Sequence, residues 1–206
     1  NIQSNLIDLN INNQTKIIAV SKTFGVDKIL PLINHGHIDF GENKVQEAVD
    51  KWTNLKGENP SLKLHMIGRL QTNKVKYAVK LFDYIHSVDN EKLARKIYDE
   101  DKKINKKTKV FIQVNIGGEK QKSGVSKVDV QKLVSYCKEV KLNVMGLMCI
   151  PPLDIDSTHY FKEMNKLNKD FGFSELSMGM SSDYLKASEY SATYLRIGSN
   201  IFGQRS

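Results

Sequence analysis

The feature of this 206-residue sequence that most limits its fold is a regular alternation of two residue patterns. Short runs rich in apolar and β-branched residues are followed by longer segments in which apolar residues recur every three or four positions. This alternation is typical of parallel strands connected by helices, so it predicts an α/β fold. The predicted strands span residues 17–21, 38–41, 64–67, 84–87, 110–114, 144–147, 176–178 and 194–197. The predicted helices span residues 26–34, 45–55, 73–79, 91–104, 128–140, 157–171 and 182–189.

Eight strands with helices between them favour a closed (β/α)8 TIM barrel that forms a single domain over residues 1–206. An open doubly wound sheet would show the same periodicity and is the alternative. The chain is short for a barrel, for which roughly 250 residues are typical. Little sequence follows the eighth strand, so an amphipathic N-terminal segment, residues 1–13, is expected to cover the position of a final helix.

The composition limits the cellular setting. No apolar run reaches the ~20 residues of a membrane-spanning helix, and the N-terminal segment lacks the apolar core of a signal peptide. The two cysteines, Cys137 and Cys149, show neither metal-ligand spacing nor a disulfide pattern, as expected in a reducing compartment. We therefore expect a cytoplasmic protein with no membrane partner and no metal site.

The formal net charge of +8 raises the question of a nucleic-acid partner. The lysines are scattered over predicted helix faces, however, and no recognition motif accompanies them. We therefore expect no nucleic-acid binding. A positive field would also attract small phosphorylated anions.

Lys22 directly follows the apolar run at residues 17–20. In (β/α)8 barrels the active site lies at the carboxyl ends of the strands, so this lysine is expected at the mouth of the barrel with its stem desolvated. Desolvation lowers the pKa of an amine and makes it a nucleophile able to form a Schiff base. An ordinary solvated lysine at a strand end is the alternative interpretation.

Small and hydroxylated residues follow the seventh and eighth predicted strands: Ser181, Ser182, Gly198 and Ser199. Such residues allow the backbone to approach an anion closely and add hydroxyl donors, and barrels frequently bind phosphate in these two loops. Ordinary turns and helix caps would show the same composition, and Ser181 or Ser182 could cap the next helix.

Barrel closure places the eighth strand beside the first. A ligand whose phosphate lies on the last two loops could therefore reach Lys22 with an aldehyde at its other end, and pyridoxal 5′-phosphate (PLP) has this shape. Arg196 lies two residues before Gly198, so strand alternation puts both on the same side. Arg196 is thus predicted to face the ring nitrogen.

Sequence motifs along nearly the whole chain support this interpretation. The chain resembles the family of pyridoxal phosphate homeostasis proteins, which share their fold with the N-terminal barrel of alanine racemase. The matching motifs include AVSKT at 19–23, FGEN at 40–43, HMIGRLQTNK at 65–74, KSG at 122–124, SMGMSSD at 177–183 and RIGS at 196–199.

The resemblance implies a set of cofactor contacts. It implies that Lys22 holds PLP as an internal aldimine and that Arg196 lies near the pyridine nitrogen. It also implies phosphate contacts from Ser181 or Ser182 and from Gly198 and Ser199, with Asn43 and His65 as further pocket residues.

An arginine beside the ring nitrogen does not protonate it as a carboxylic acid would, so PLP is a weaker electron sink there. We therefore expect not an enzyme but a PLP-binding protein, a monomer, that serves intracellular PLP homeostasis and releases PLP to apo-enzymes. Lys74 and Lys122 are candidates for a second lysine that assists transfer. The alternatives are a slow PLP-dependent amino-acid racemase or lyase and a Schiff-base aldolase that acts without PLP.

Overall fold

The structure is a computed structural model that describes residues 15–152 and 156–203. Eight parallel strands form a closed barrel in chain order, and β1 pairs with β8 to close it. The barrel class predicted from the sequence is therefore confirmed, and the open-sheet alternative is wrong. The strands are Lys16–Val20 (β1), Asp39–Glu42 (β2), Lys63–Met66 (β3), Tyr84–Val88 (β4), Lys109–Val114 (β5), Val144–Cys149 (β6), Glu175–Met180 (β7) and Tyr194–Ile197 (β8).

Helices connect the strands, and their bounds lie within a few residues of those predicted. They are Val26–Asn34 (α1), Val45–Glu58 (α2), Val75–Leu81 (α3), Glu91–Lys103 (α4), Val130–Glu139 (α5), Thr158–Asp170 (α6), Tyr184–Glu189 (α7) and Ser199–Phe202 (α8). Short 3-10 turns, Thr72–Lys74 and Lys127–Asp129, precede α3 and α5. The one-turn α8 was not predicted. The N-terminal segment at 1–13 lies outside the described residues, and the assignment of residues 1–206 to one domain stays a prediction.

Two apolar layers follow from the strand alternation. Side chains that point into the barrel form a packed cluster of Ile18, Tyr84, Phe111, Met148 and Tyr194. Side chains that point outward pack against the helices and form the larger core, as is usual for this fold. On β8, Tyr194 and Arg196 face inward, whereas Leu195 and Ile197 belong to the outer core. The barrel interior is therefore filled, and a ligand can enter only at its ends.

Helix caps show where local sequence signals succeed and fail. Asn90, a residue type favoured at helix N-termini, caps α4 by accepting a hydrogen bond from the backbone N–H of Leu93 at 2.8 Å. The prediction of a Ser181 or Ser182 cap is wrong, because Asp183 is the residue before α7. The Asp183 carboxylate accepts from the backbone N–H of Met180 at 2.7 Å instead. Among residues 15–152 and 156–203, no helix has the length and apolar character needed to cross a bilayer.

Candidate functional site

A cavity of about 880 Å³ opens at the carboxyl ends of the strands. This volume suits a cofactor-sized ligand. The walls come from the ends of six strands and the loops that follow them, namely β1, β2, β3, β6, β7 and β8. The lining residues are Val20, Lys22, Phe24, Asn43, Ile67, Gly68, Ile150, Met180, Ser181, Ser182, Arg196, Gly198, Ser199, Asn200 and Gly203.

Seven of the eight residues predicted as cofactor contacts line this cavity. The seam between β1 and β8 brings Lys22 close to the loop of Gly198 and Ser199, with Ile18 opposite Arg196 in the register. The rings of Phe24 and Phe202 stack with centroids 5.0 Å apart and join the loops that follow these two strands. Two loops that are distant in sequence therefore meet on one wall of the cavity.

The loop that carries Lys22 is held in a defined conformation. Lys22 is half-buried, and Ser21 before it is fully buried. Thr23 has φ of +69°, a left-handed conformation that is uncommon for a β-branched residue. The Thr23 N–H donates to the Glu47 carboxylate at 2.7 Å, which stabilises this conformation. This contact therefore holds the C-terminal side of the lysine loop.

A buried ionic cluster holds the N-terminal side of the same loop. The fully buried Glu42 accepts hydrogen bonds at Oε1 from Ser21 Oγ at 2.8 Å and Lys51 Nζ at 3.0 Å. Trp52 Nε1 donates to the same oxygen at 2.9 Å. The Lys51 ammonium also donates to the Ser21 carbonyl at 3.0 Å and to Glu47 at 3.1 Å. Both neighbours of Lys22 are thus tied to α2 by charge-assisted hydrogen bonds.

The roles of Lys51 and Glu47 were not predicted from the sequence. Their spacing of four residues on a predicted helix indicates an ion pair. It does not indicate that Glu42, which faces outward from β2, completes the cluster.

The predicted phosphate loops meet through Ser181. The Gly198 N–H donates to Ser181 Oγ at 3.1 Å, and Asn200 Nδ2 donates to the Ser181 carbonyl at 3.2 Å. Ser182 and Ser199 are exposed at the cavity mouth. Ser199 also begins the one-turn α8, where the first N–H groups lack an intrahelical acceptor. This side of the cavity therefore presents hydroxyl and amide donors suited to an anion.

Arg196 lies at the deep end of the cavity and is 4% exposed. One terminal nitrogen donates to Ser177 Oγ at 2.7 Å, and the other donates to the Cys149 carbonyl at 2.8 Å. Burial lowers the pKa of the guanidinium, and Cys149 and Asp183 oppose that shift. A guanidinium remains protonated in proteins and has five N–H donors. Two of them donate to acceptors among residues 15–152 and 156–203, and the others lie at the cavity wall.

Asn43 presents a buried acceptor at the cavity wall. Its Oδ1 is buried and has no hydrogen-bond partner within the described part of the chain. Leaving such an atom unpaired costs on the order of 1–3 kcal/mol, so a ligand donor at this position would be stabilising. Gly68 packs against Asn43 so closely that an added Cβ would lie 2.4 Å from the Asn43 carbonyl oxygen. The position of Asn43 is therefore fixed by backbone contact.

His65 is the predicted contact that does not line the cavity. It is fully buried inside the barrel, stacked on Tyr84 with ring centroids 4.3 Å apart. Its ring nitrogens contact Asp39 and His86, each at 3.0 Å. A direct contact between His65 and a ligand in the cavity is therefore not what the geometry favours.

The two candidate assisting lysines also lie away from the cavity lining. Lys122 forms an ion pair with Glu119 at 2.6 Å and donates to the Pro151 carbonyl at 3.1 Å. Lys74 ends the 3-10 turn before α3.

The cysteines and acidic residues do not suggest other chemistry. Burial raises the pKa of both the Cys137 and Cys149 thiols to about 12, which keeps them protonated and unreactive. Within the described ranges, no group of three or more His, Cys, Asp or Glu side chains is arranged to hold a metal ion.

The fold and the cavity define a barrel of the alanine racemase N-terminal class, and residues 1–206 match the sequence model of the family described as alanine racemase, N-terminal domain. More narrowly, the chain belongs to the pyridoxal phosphate homeostasis protein family. The protein of that name from Aquifex aeolicus is 39% identical over 203 residues, which is 94% of this chain and 88% of the relative. The one from Escherichia coli K12 is 33% identical over 199 residues, covering 92% and 85%.

Solved structures agree with this assignment. PipY of Synechococcus elongatus, determined with PLP bound, has a TM-score of 0.87 and 30% identity, covering 98% of this chain and all of that one. Alanine racemase of Clostridium difficile has a TM-score of 0.75 at 15% identity, covering 98% of this chain and 55% of that one. The latter likeness shows the shared fold alone.

Proposed function

We propose that this chain binds PLP in the cavity at the carboxyl ends of the strands and serves PLP homeostasis. The observation that carries the proposal is that Lys22, Arg196 and the turn at 198–199 line one cavity across the β1–β8 seam. Three groups that PLP would require, an amine, an anion site and a donor for the ring nitrogen, are therefore within one pocket. The relatives support the proposal, since they are named for PLP homeostasis and PipY was solved with PLP bound.

Bound PLP supplies an aldehyde that exchanges reversibly with amines. Lys22 is the residue proposed to hold it, because its neutral amine can add to the aldehyde carbon with loss of water. The contacts on either side of Lys22 hold this residue at the cavity wall, which lowers the entropic cost of reaching the reactive geometry.

The other lining residues are proposed to orient the ligand. Ser181, Ser182 and Ser199 would bind the phosphate through hydroxyl donors. Gly198, whose N–H already donates to Ser181 Oγ at 3.1 Å, would let the backbone approach the phosphate closely. Asn43 Oδ1, the buried acceptor without a partner, would receive a hydrogen bond from a polar group on the ring.

Arg196 would donate to the ring nitrogen. Because this guanidinium keeps its proton, Arg196 would not protonate the ring nitrogen, and bound PLP would be a weak electron sink. The curated relatives are named as homeostasis proteins rather than as enzymes, which agrees with a site that holds PLP without turning over amino acids.

The proposal also includes release of PLP to apo-enzymes, a monomeric state and a cytoplasmic location. Ser182 and Ser199 are exposed at the cavity mouth, so the phosphate end of a ligand would remain accessible to an approaching partner. Mixing the loaded chain with a PLP-dependent apo-enzyme tests this step. Reactivation faster than the measured release of PLP into buffer indicates direct transfer, whereas equal rates contradict it.

Reduction with borohydride tests the attachment. After incubation with PLP, reduction and peptide mapping, the label is expected on Lys22. Lys22→Ala should abolish both the label and the visible absorbance of the loaded chain. Lys74→Ala is the matched control, because Lys74 does not line the cavity, and it should label as the wild type does. A label that persists in Lys22→Ala would overturn the assignment.

A further inference from the structure

Five polar side chains form a continuous hydrogen-bonded row through the barrel interior. The row runs from Asp39 on β2 to His65 on β3, His86 on β4, Ser177 on β7 and Arg196 on β8. The four contacts are 3.0, 3.0, 2.9 and 2.7 Å long. All five residues are buried, the two histidines and the serine completely. Burying a polar group costs free energy unless it is hydrogen-bonded. The paired row is therefore a defined structural feature of the barrel interior.

The surroundings of the row are apolar and aromatic. The His86 ring stacks on Phe111 with centroids 4.4 Å apart, and its other ring contacts include Tyr194 in an edge arrangement. His65 stacks on Tyr84. Because aromatic packing holds both imidazole planes, the rings cannot turn freely to choose other partners.

The direction of every hydrogen bond in the row follows from its two ends. A guanidinium can only donate, so Ser177 Oγ accepts from Arg196. Among the described residues, Ser177 Oγ contacts Arg196 and His86, so its own proton has His86 Nδ1 as its acceptor. His86 then carries its proton on Nε2.

The Asp39 end of the row requires the same positions of the protons. An ionised Asp39 carboxylate can only accept, so His65 carries its proton on Nε2 and accepts at Nδ1 from His86. Every donor in the row then has an acceptor with both imidazoles neutral. Adding a proton to His65 would force His86 to donate towards Ser177, which would leave the serine proton without an acceptor.

Electrostatics agrees with this assignment. Burial lowers the pKa of His65, and the Asp39 carboxylate only partly offsets that effect. Burial also lowers the pKa of His86 well below its ordinary value, and the nearby Arg196 charge lowers it further. Burial tends to raise the pKa of Asp39, but its interactions with His65, Lys63 and His37 leave it below the ordinary value.

We propose that Asp39, His65, His86 and Ser177 form a directional relay that positions the Arg196 guanidinium at the deep end of the cavity. Ser177 and the Cys149 carbonyl each hold one terminal nitrogen, which fixes the guanidinium plane. The remaining N–H groups of Arg196 are then held in a fixed orientation in which they can donate to a ligand. The four residues are positioning residues, and only the identity of the ligand as PLP rests on the proposed function.

The tautomers can be measured in the full chain without any ligand. Nitrogen-15 NMR of the histidine rings is expected to show His65 and His86 neutral and protonated at Nε2 between pH 6 and 8. The exposed ring of His159 provides an internal reference. A proton on Nδ1 of either buried ring, or a charged form of either ring at neutral pH, would overturn the relay.

A pair of serine variants tests the effect on the ligand site. Ser177→Ala removes the acceptor of Arg196, and we expect PLP affinity to fall about 3- to 10-fold, the effect of one hydrogen bond, with a shift of the visible band. Ser188→Ala is the matched control, because it removes an equally buried hydroxyl that donates to the Tyr184 carbonyl at 2.8 Å outside the cavity lining. It should keep the wild-type affinity and band. Equal behaviour of the two variants would refute the relay.

If Ser177→Ala does not fold, substitutions of Asp39, at the other end of the row, test the relay. Asp39→Asn keeps an acceptor for His65, so the Nε2 tautomers and an affinity within about twofold of wild type are expected. Asp39→Val removes the acceptor and should weaken PLP binding about 3-fold or more. Equal affinities for these two variants would overturn the relay. Failure of the wild-type chain to bind PLP would instead defeat the proposed function, while the NMR measurement would still decide the relay.

Discussion

Replacing Lys51 by methionine tests how the lysine loop is held. The Lys51 side chain is 9% exposed, and its ammonium donates to the Ser21 carbonyl and to the carboxylates of Glu42 and Glu47. Methionine has similar length and no charge, so the substitution removes these three contacts and leaves the fully buried Glu42 without its cation.

The expected loss of stability depends on the hydrogen bonds that Glu42 keeps. Removing one partner of a buried ion pair costs about 3–5 kcal/mol. Glu42 keeps the hydrogen bonds from Ser21 Oγ and Trp52 Nε1, so the lower end of that range applies. We therefore expect the free energy of unfolding to fall by about 3 kcal/mol. Because the Ser21 carbonyl also loses its ammonium contact, capture of PLP should slow as well.

Urea denaturation followed by circular dichroism measures this change, provided that the m-value matches that of the wild type. Lys127→Met is the matched control, because the pair of Lys127 and Glu163 is 2.9 Å long but has side chains 47% and 42% exposed. An exposed pair contributes less than about 1 kcal/mol. The reasoning is refuted if Lys51→Met and Lys127→Met are destabilised by the same amount.

Three further predictions concern the cavity wall and the barrel interior. Gly68→Ala should weaken PLP affinity about 10-fold by calorimetry, because its Cβ would press on the Asn43 backbone; unchanged affinity would contradict that packing. Neither cysteine should react with a thiol reagent at pH 8 before unfolding, since burial raises the pKa of both thiols to about 12; rapid labelling of the folded chain would show otherwise. Stability should fall as the pH is lowered through the ordinary histidine range, because the lowered pKa values of His65 and His86 mean that the unfolded chain binds more protons there. Urea midpoints at several pH values measure this, and a midpoint that rises on acidification through that range would contradict it.

Local sequence patterns predicted much of the candidate site. The apolar run before Lys22 placed that residue at a strand end, and alternation along the eighth strand placed Arg196 and Gly198 on one side. The structure has these three residues in one cavity lining. The same patterns misassigned Ser181 and Ser182 as helix caps, because a hydroxyl in a turn can bond to its own helix or, as Ser181 does, to another loop.

By itself the sequence determined the order and the approximate bounds of the strands and helices, and the side of each strand on which a residue lies. These properties depend on backbone periodicity, which neighbouring residues encode. Only the tertiary structure decided which inward-facing side chains meet. The row from Asp39 to Arg196 joins five strands, and the cluster at Glu42 joins a strand to a helix. Such contacts depend on strand register and barrel closure, which result from the packing of all eight strands together and not from any local segment.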